Sequence, residues 1–229
     1  MSFIELLTRT INIKYMQLKS YILNLFLGKI TNKGERFDPR LGKIIGYTDQ
    51  CHKERYEFAK KVLKNRYVEI LDIASGLGYG TSVLVTSSGI KYTGVDNSES
   101  AIKYARSNYG KSMNIKFVKS DFFKYNKKHE VVISFETLEH IKVNSLKVAL
   151  KHLFSLANKI IICSVPYNEP VDNNQHHHFF NITKQTILDN LPKEKYKKII
   201  KLYYQLANGT ISDKPNPLPQ NLLFVIKKK

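Results

Sequence analysis

The 229-residue chain has no tryptophan, only two cysteines and only six arginines. The two cysteines, Cys51 and Cys163, stand in dissimilar contexts, which excludes a disulfide framework and fits a reducing cytosol. No apolar run approaches the roughly 20 residues that a membrane-spanning helix needs. With 42% hydrophobic and 24% charged residues, the composition is typical of a globular, cytoplasmic protein and argues against collagen-like, disordered or solenoid structures.

The scarcity of arginine decides how the strong positive charge is interpreted. Lysine and arginine together number 37 against 19 acidic residues, for a formal net charge of +18. A charge of this size suits RNA or an anionic membrane. Most of the basic residues are lysines spread along the chain, and lysine lacks the planar fork with which arginine binds phosphate. A solvated lysine surface is therefore our preferred interpretation, and a nucleic-acid partner is the alternative.

The N-terminal segment, residues 1–28, is apolar but contains charges of both signs. Its apolar residues recur at helical spacing, which predicts one or two amphipathic helices. We expect residues 1–50 to form a helical extension or lid that packs on the rest of the chain or on a second subunit of a homodimer. A membrane-surface anchor is the alternative. The segment lacks the basic start of a signal peptide.

From residue 67 onward, short β-branched runs alternate with amphipathic segments, which is typical of a parallel sheet flanked by helices. The predicted strands are 68–73, 91–96, 115–118, 130–135, 159–165, 198–205 and 222–227. The predicted helices are 81–87, 98–108, 144–157 and 184–190. Glycine and prolines in 208–220 predict a loop, so the last two strands should form an antiparallel hairpin at the sheet edge.

A glycine-rich turn, Ala74-Ser75-Gly76-Leu77-Gly78-Tyr79-Gly80, directly follows the first predicted strand. Glycines at such a turn let the backbone turn tightly and approach a ligand closely. The second strand ends in Asp96, 24 residues after Asp72, where a carboxylate can accept hydrogen bonds from both hydroxyls of a ribose. The glycine spacing departs from G-x-G-x-x-G, which argues against a nicotinamide-dependent dehydrogenase.

In these residues the chain resembles the class I S-adenosylmethionine-dependent methyltransferases, whose first motif is D-x-x-x-G-x-G and whose second is an acidic residue ending strand two. The similarity covers residues 52–166. It implies an α/β, Rossmann-like methyltransferase domain over residues 51–229, with a seven-stranded, mostly parallel sheet and a reversed C-terminal hairpin. It also implies S-adenosylmethionine as cofactor, bound by Tyr56, Asp72, Ala74, Gly76, Gly78, Asp96, Asn97, Asp121, Phe122 and Glu136.

Within that set, the resemblance implies a role for each part of the site. Gly76 and Gly78 let the backbone approach the methionine moiety, Asp96 binds the ribose, and Asp121 with Phe122 flanks the adenine. The segment 52–59 resembles the helix that leads into the fold in methyltransferases of polysaccharide and sugar pathways, where its residues line the cofactor mouth. The alternative is that Tyr56 and Phe58 in this helix belong only to the core.

Two clusters of acidic residues and histidines follow strands four and five. If a helix begins at Glu136, its spacing places Glu136, Glu139 and His140 on one face. Favourable charge at a helix start is the alternative reason for the carboxylates. The histidines 176–178 lie in the loop after strand five, and in this architecture such loops border the ligand cleft.

The pattern E-x-x-E-H followed by His-x-Phe resembles metal-dependent O-methyltransferases, including those of ubiquinone biosynthesis and those that methylate the terminal ribose of small RNAs. By position, the metal ligands would be Glu136, Glu139, His140 and His178, with His177 or His176 as alternatives for the last. Such mixed oxygen and nitrogen ligands suit Mg²⁺ or Mn²⁺. The candidate general bases are His140, His176 and His177.

The function predicted from these observations is O-methylation of a sugar hydroxyl, on a nucleotide sugar or surface-polysaccharide precursor, assisted by a divalent metal. The alternative acceptors are the 2′-hydroxyl of a terminal RNA ribose and another small molecule. A non-enzymatic alternative is a membrane-associated scaffold with a vestigial cofactor site.

Overall fold

The computed structural model describes residues 49–64, 66–142, 145–168, 177–192, 200–214 and 219–228. The predicted helices and dimer interface of the N-terminal extension therefore lie outside the described residues, and so does His176. In the described ranges, no helix combines the length and the apolar character needed to cross a membrane.

Five helices and eight strands form the described structure. The helices are α1 (Asp49–Leu63), α2 (Gly80–Leu84), α3 (Glu99–Tyr109), α4 (Leu146–Leu156) and α5 (Lys184–Asn190). The strands are β1 (Glu69–Ile73), β2 (Lys91–Asp96), β3 (Ile115–Lys119), β4 (His129–Phe135), β5 (Ala157–Pro166), β6 (Ile200–Gln205), β7 (Ile211–Ser212) and β8 (Asn221–Lys227).

The strands form one sheet in the order β3-β2-β1-β4-β5-β8-β6-β7. The first five strands are parallel, and β8 is antiparallel to both of its neighbours. This confirms the predicted fold class with its reversed C-terminal hairpin. The sheet has one strand more than predicted, because Ile211–Ser212 pairs with the end of β6 inside the segment predicted as loop.

The final hairpin lies at the edge of the sheet as predicted, and within it β8 is the inner strand, between β5 and β6. Residues 222–226 of β8 are almost completely buried, as required of a strand covered on both faces. Such burial explains why these residues are all apolar, instead of alternating between apolar and polar.

Helices cover both faces of the sheet, so that two hydrophobic layers form. In β1, Leu71 and Ile73 face the layer that includes α4 and α5, whereas Ile70 faces the layer that includes α1 to α3. Ser98 and Ser145 cap α3 and α4, each side chain accepting a backbone N–H of the first turn. The strand order reverses between β1 and β4, and in open parallel sheets this switch point is where a ligand cleft opens.

Candidate functional site

A cleft of about 550 Å³ opens at the carboxyl ends of β1, β2 and β4. Its wall is formed by the glycine-rich turn after β1, the ends of β2 and β3, the segment after β4, and one face of α1. Among the predicted cofactor residues, those that line it are Tyr56, Ala74, Gly76, Asp96, Asn97, Asp121, Phe122 and Glu136. The cleft is large enough for a nucleoside-sized ligand.

Asp96 ties the glycine-rich turn to the end of β2. Its Oδ2 accepts the backbone N–H of Gly76 at 2.9 Å, and its Oδ1 accepts that of Ser98 at 2.9 Å. Ala74 and Gly76 both have positive φ, 64° and 53°, and such backbone is easily adopted by glycine but strained for alanine. The turn therefore presents backbone and a fixed carboxylate to the cleft.

Asp72 and Gly78 do not line the cleft but support it from behind. The Asp72 Oδ2 accepts hydrogen bonds from the hydroxyls of Tyr56 at 2.9 Å and Tyr92 at 2.5 Å. Burial raises the pKa of Asp72 to about 7, although the two hydroxyls favour the ionised form. Gly78, with φ of 83°, packs so closely on Phe117 that a Cβ would lie 2.8 Å from the ring.

An aromatic wall lines the end of the cleft nearest β3. Phe122 and Phe123 meet edge to face with ring centroids 5.0 Å apart, and both line the cleft. Behind them, the ring of His152 on α4 lies within hydrogen-bond distance of the Phe122 carbonyl, 2.7 Å from Nε2. Phe123 was missed in the sequence analysis, although it directly follows the predicted pair Asp121 and Phe122.

The segment after β4 does not form the helix predicted to begin at Glu136. Glu136 has φ of 47°, and only a short 3₁₀ turn, Leu138–His140, follows it. Its Oε1 accepts the Ser164 hydroxyl at 2.6 Å and lies 3.3 Å from Arg55 Nη1. Its Oε2 accepts the Asn221 amide at 2.6 Å. Because these partners hold its carboxylate, Glu136 does not share a helical face with Glu139 and His140.

A different group of three residues comes together beside the cleft. Ligand atoms of Glu139, His140 and His177 all lie within 4.8 Å of one another. The His140 and His177 rings are 4.7 Å apart by centroid, and His140 Nε2 lies 3.9 Å from Glu139 Oε1. The structure thus places His177 where the sequence analysis expected His178. The His178 side chain lines the cleft instead, while its backbone N–H donates to the Glu139 carbonyl at 2.6 Å.

His52, on the first turn of α1, is a cleft-lining residue that we did not select from the sequence. Its side chain is half-buried, and desolvation together with the positive charge of Arg55 holds its pKa well below the usual range. The signal for it was the spacing of His52, Tyr56 and Ala59, which lie on one helical face. Cys51 and Gln205 fix the start of this helix, since the Gln205 amide donates to the Cys51 carbonyl at 3.0 Å.

Comparison with known proteins gives a family match and structural neighbours. Residues 70–159 match the methyltransferase domain family Methyltransf_25. No curated protein sequence matches the chain. Among solved structures, magnesium protoporphyrin IX methyltransferase from Synechocystis PCC 6803 with bound S-adenosylmethionine is 14% identical, with a TM-score of 0.63 over 91% of this chain and 96% of that one.

Two further neighbours have the same fold at similarly low identity. The methyltransferase domain of bacterial CtHen1 is 19% identical, with a TM-score of 0.58 over 77% of this chain and 99% of that one. The N-terminal domain of EvdMO1, in the presence of S-adenosylhomocysteine and D-fucose, is 14% identical, with a TM-score of 0.57 over 78% of this chain and 84% of that one. These neighbours confirm the predicted fold, and the family match over residues 70–159 bears out the predicted methyltransferase class, whereas the predicted roles of individual residues stay predictions.

Proposed function

We propose that this chain, an S-adenosylmethionine-dependent methyltransferase whose residues 70–159 match a methyltransferase domain family, methylates a sugar hydroxyl. The acceptor class is a nucleotide sugar or surface-polysaccharide precursor, and a divalent cation, Mg²⁺ or Mn²⁺, assists. The observation that carries this proposal is the group of Glu139, His140 and His177 beside the cofactor cleft. A second support is the α1 helix, whose sequence resembles that of sugar-pathway methyltransferases.

The orientation of the cofactor follows from the two ends of the cleft. Asp96 would accept the ribose hydroxyls, and Phe122 with Phe123 would cover the adenine. The methionine end, which carries the reactive sulfonium methyl, would then lie toward Tyr56 and Glu136. An in-line displacement requires the acceptor oxygen on the axis of the sulfur–methyl bond, and in this proposal the acceptor hydroxyl enters beside His52 and His140, which line the cleft with Glu136.

The donor set beside that end fits a divalent cation. One carboxylate and two imidazoles within 4.8 Å of one another form a mixed set typical of Mn²⁺, Fe²⁺ or Zn²⁺ and suitable for Mg²⁺. Glu139, His140 and His177 would hold the cation, which would lower the pKa of a coordinated sugar hydroxyl. Glu136, bound to Arg55 and Asn221, would instead shape the methionine end of the cleft.

A second acceptor class, the 2′-hydroxyl at the end of an RNA, is favoured by the net charge of +18 and by the E-x-x-E-H pattern. Lys142 lines the cleft mouth and could contact a phosphate. We rank it second because 31 of the basic residues are lysines rather than arginines. Other small-molecule acceptors stay third, and the complete cofactor cleft argues against a scaffold with a vestigial site.

Methyl transfer from radiolabelled S-adenosylmethionine tests the proposal. The acceptors are UDP-glucose, UDP-N-acetylglucosamine, a purified lipopolysaccharide and a short RNA with either a 2′,3′-diol or a 2′-deoxy end, each with Mg²⁺ or Mn²⁺. We expect label on a sugar acceptor, and loss of that label when the methylated hydroxyl is replaced by hydrogen. Label only on the diol RNA, weakened steeply between 50 and 200 mM salt, would overturn the sugar proposal in favour of RNA.

A further inference from the structure

We propose that His52 is the general base that takes the proton from the acceptor hydroxyl. The inference rests on the proposed function in one respect, namely that the acceptor is a hydroxyl. His52 lies on α1, a different element from those that carry His140, His177 and His178.

The position of α1 places His52 in the lining of the cleft. One turn further along the helix, Tyr56 packs against Phe135 at the end of β4, with ring centroids 5.1 Å apart, and bonds to Asp72 at the end of β1. Side chains at positions i and i+4 of a helix lie one above the other on the same face. His52 therefore lies on the same helical face as Tyr56, and both line the cleft together with Glu136 and His140.

The other histidines that line the cleft or adjoin it are less suited to accept a proton. His140 and His177 belong to the candidate cation group, and an imidazole whose lone pair binds a cation cannot also act as a base. His178 lines the cleft, but its backbone is fixed to the Glu139 carbonyl beside the same group. His52 lies on a separate element, so that it can act while a cation is held.

The surroundings of His52 keep the imidazole in the neutral form that a base requires. Arg55, one turn along the same helix, carries a buried positive charge, and burial and this charge lower the pKa of His52. The titratable and charged groups that line the same cleft from other elements are Tyr79, Asp96, Asp121, Glu136, His140, Lys142 and His178. Glu136 is already held by Arg55, Ser164 and Asn221.

The proposed step is balanced in atoms and charge. The acceptor oxygen forms a bond to the methyl carbon while the bond from that carbon to sulfur breaks, and the sulfonium becomes the neutral thioether of S-adenosylhomocysteine. The hydroxyl proton passes to the neutral His52 imidazole, which becomes an imidazolium. Solvent at the cleft mouth then removes this proton before the next turnover.

The variant His52→Gln tests the inference, with Lys53→Gln as the matched control because Lys53 is exposed on the same helix turn. We expect S-adenosylmethionine affinity to change less than about threefold in both variants. Single-turnover methyl transfer to whichever of the sugar and RNA acceptors is methylated should fall about 10²- to 10⁴-fold in His52→Gln only. Added imidazole should partly restore the rate of a His52→Ala variant, which a merely structural role would not allow.

The protonation state of His52 can be measured without an acceptor. This measurement therefore tests the inference about His52 even if the proposed sugar acceptor is wrong. ¹⁵N-labelled histidine in the S-adenosylhomocysteine complex, with the His52→Gln spectrum for assignment, should show a neutral His52 ring at pH 7 and protonation only well below pH 6.5. A protonated ring at pH 7, or full turnover by His52→Gln, would overturn the inference. If His178→Gln loses turnover while His52→Gln keeps full turnover, the general base is His178 instead.

Discussion

Arg55 Nη1 lies 3.3 Å from Glu136 Oε1, and this ion pair joins α1 to the segment after β4. Arg55 is buried and also donates to the Gln205 side chain at 3.2 Å. The pair thus connects the helix that covers the cleft with two strands of the sheet. A buried ion pair is costly to break because removal of one partner leaves the other charge buried and uncompensated.

We therefore expect Arg55→Met to lower the free energy of unfolding by about 3–5 kcal/mol. Urea denaturation of purified protein measures this value. The control is Lys103→Met, which removes an exposed pair with Glu99 at 4.0 Å and should change stability by less than about 1 kcal/mol. Equal effects of the two substitutions would show that the Arg55 pair has no special role in stability.

Asp96 should dominate cofactor affinity. Replacement of its carboxylate in Asp96→Ala removes charged acceptors for the ribose hydroxyls, and it also frees the Gly76 N–H. We expect a loss of about 2–4 kcal/mol in S-adenosylmethionine binding, measured by calorimetry. Glu99→Gln, an exposed carboxylate three residues away, serves as the control and should bind normally. Unchanged affinity in Asp96→Ala would refute the ribose assignment.

Asp72 should make stability depend on pH. Its pKa is raised from 3.8 to about 7 by burial, so that the folded state favours the protonated form. This contribution is fully present below pH 3.8 and is lost as the pH rises through 7. The stability of Asp72→Asn relative to the native chain should therefore improve by about 4 kcal/mol between pH 4 and pH 8. Denaturation curves at both pH values measure it, and a constant difference would contradict the raised pKa.

Gly80 should tolerate no side chain. A Cβ at this position would lie 2.3 Å from the Tyr56 ring and 2.8 Å from the Asp72 carboxylate. We expect Gly80→Ala to lower stability by about 1–3 kcal/mol or more, as overpacking does, and to weaken cofactor binding by moving Tyr56. The matched control is Gly89→Ala, whose Cβ would meet its nearest atom at 4.0 Å. Thermal unfolding of both variants distinguishes a steric effect from a general loss of backbone freedom.

Glu139 should be needed for a cation but not for the cofactor. In Glu139→Gln, we expect normal S-adenosylmethionine affinity, weaker Mn²⁺ binding by calorimetry and turnover lowered roughly 10- to 100-fold or more. Glu130→Gln is the control, since Glu130 pairs with Lys159 at the opposite end of β4. Full turnover after exhaustive EDTA treatment, with no gain on adding Mg²⁺ or Mn²⁺, would show that the group does not bind a functional cation.

The sequence was sufficient for the strands that line the site. The strands β1, β2 and β4 were predicted to within one residue, because strands buried on both faces require continuous β-branched and apolar runs. Asp96 and the glycine-rich turn were found for a related reason, since their positions follow directly from where β2 and β1 end. The two-residue strand β7 has no such pattern, because only its pairing with Tyr204 and Gln205 defines it.

The conformation of Glu136 could not be predicted from the residues next to it in the sequence. Local spacing predicted a helix, whereas the observed φ of 47° accompanies contacts with Arg55, Ser164 and Asn221, which are distant in sequence. The choice between His177 and His178, which the sequence left open, also depends on contacts between distant segments, since the loop that carries both is held to Glu139 by the backbone bond of His178. His52 was not singled out within segment 52–59, since only the packing of α1 on β4 decides which helical face borders the cleft.

The insertion of β8 between β5 and β6 has a consequence during synthesis. Residues 221–227 are made after β5 and β6, yet they pair with β5 on one side and with β6 on the other. A growing chain must therefore hold the apolar edge of β5 uncovered, and β6 without β8, until residues 221–227 leave the ribosome. Until then the uncovered edge of β5 can pair with strands of other chains, as exposed sheet edges do. Chaperones that cover such an edge would protect the nascent chain. A chain truncated before residue 221 should therefore aggregate rather than fold into a smaller domain.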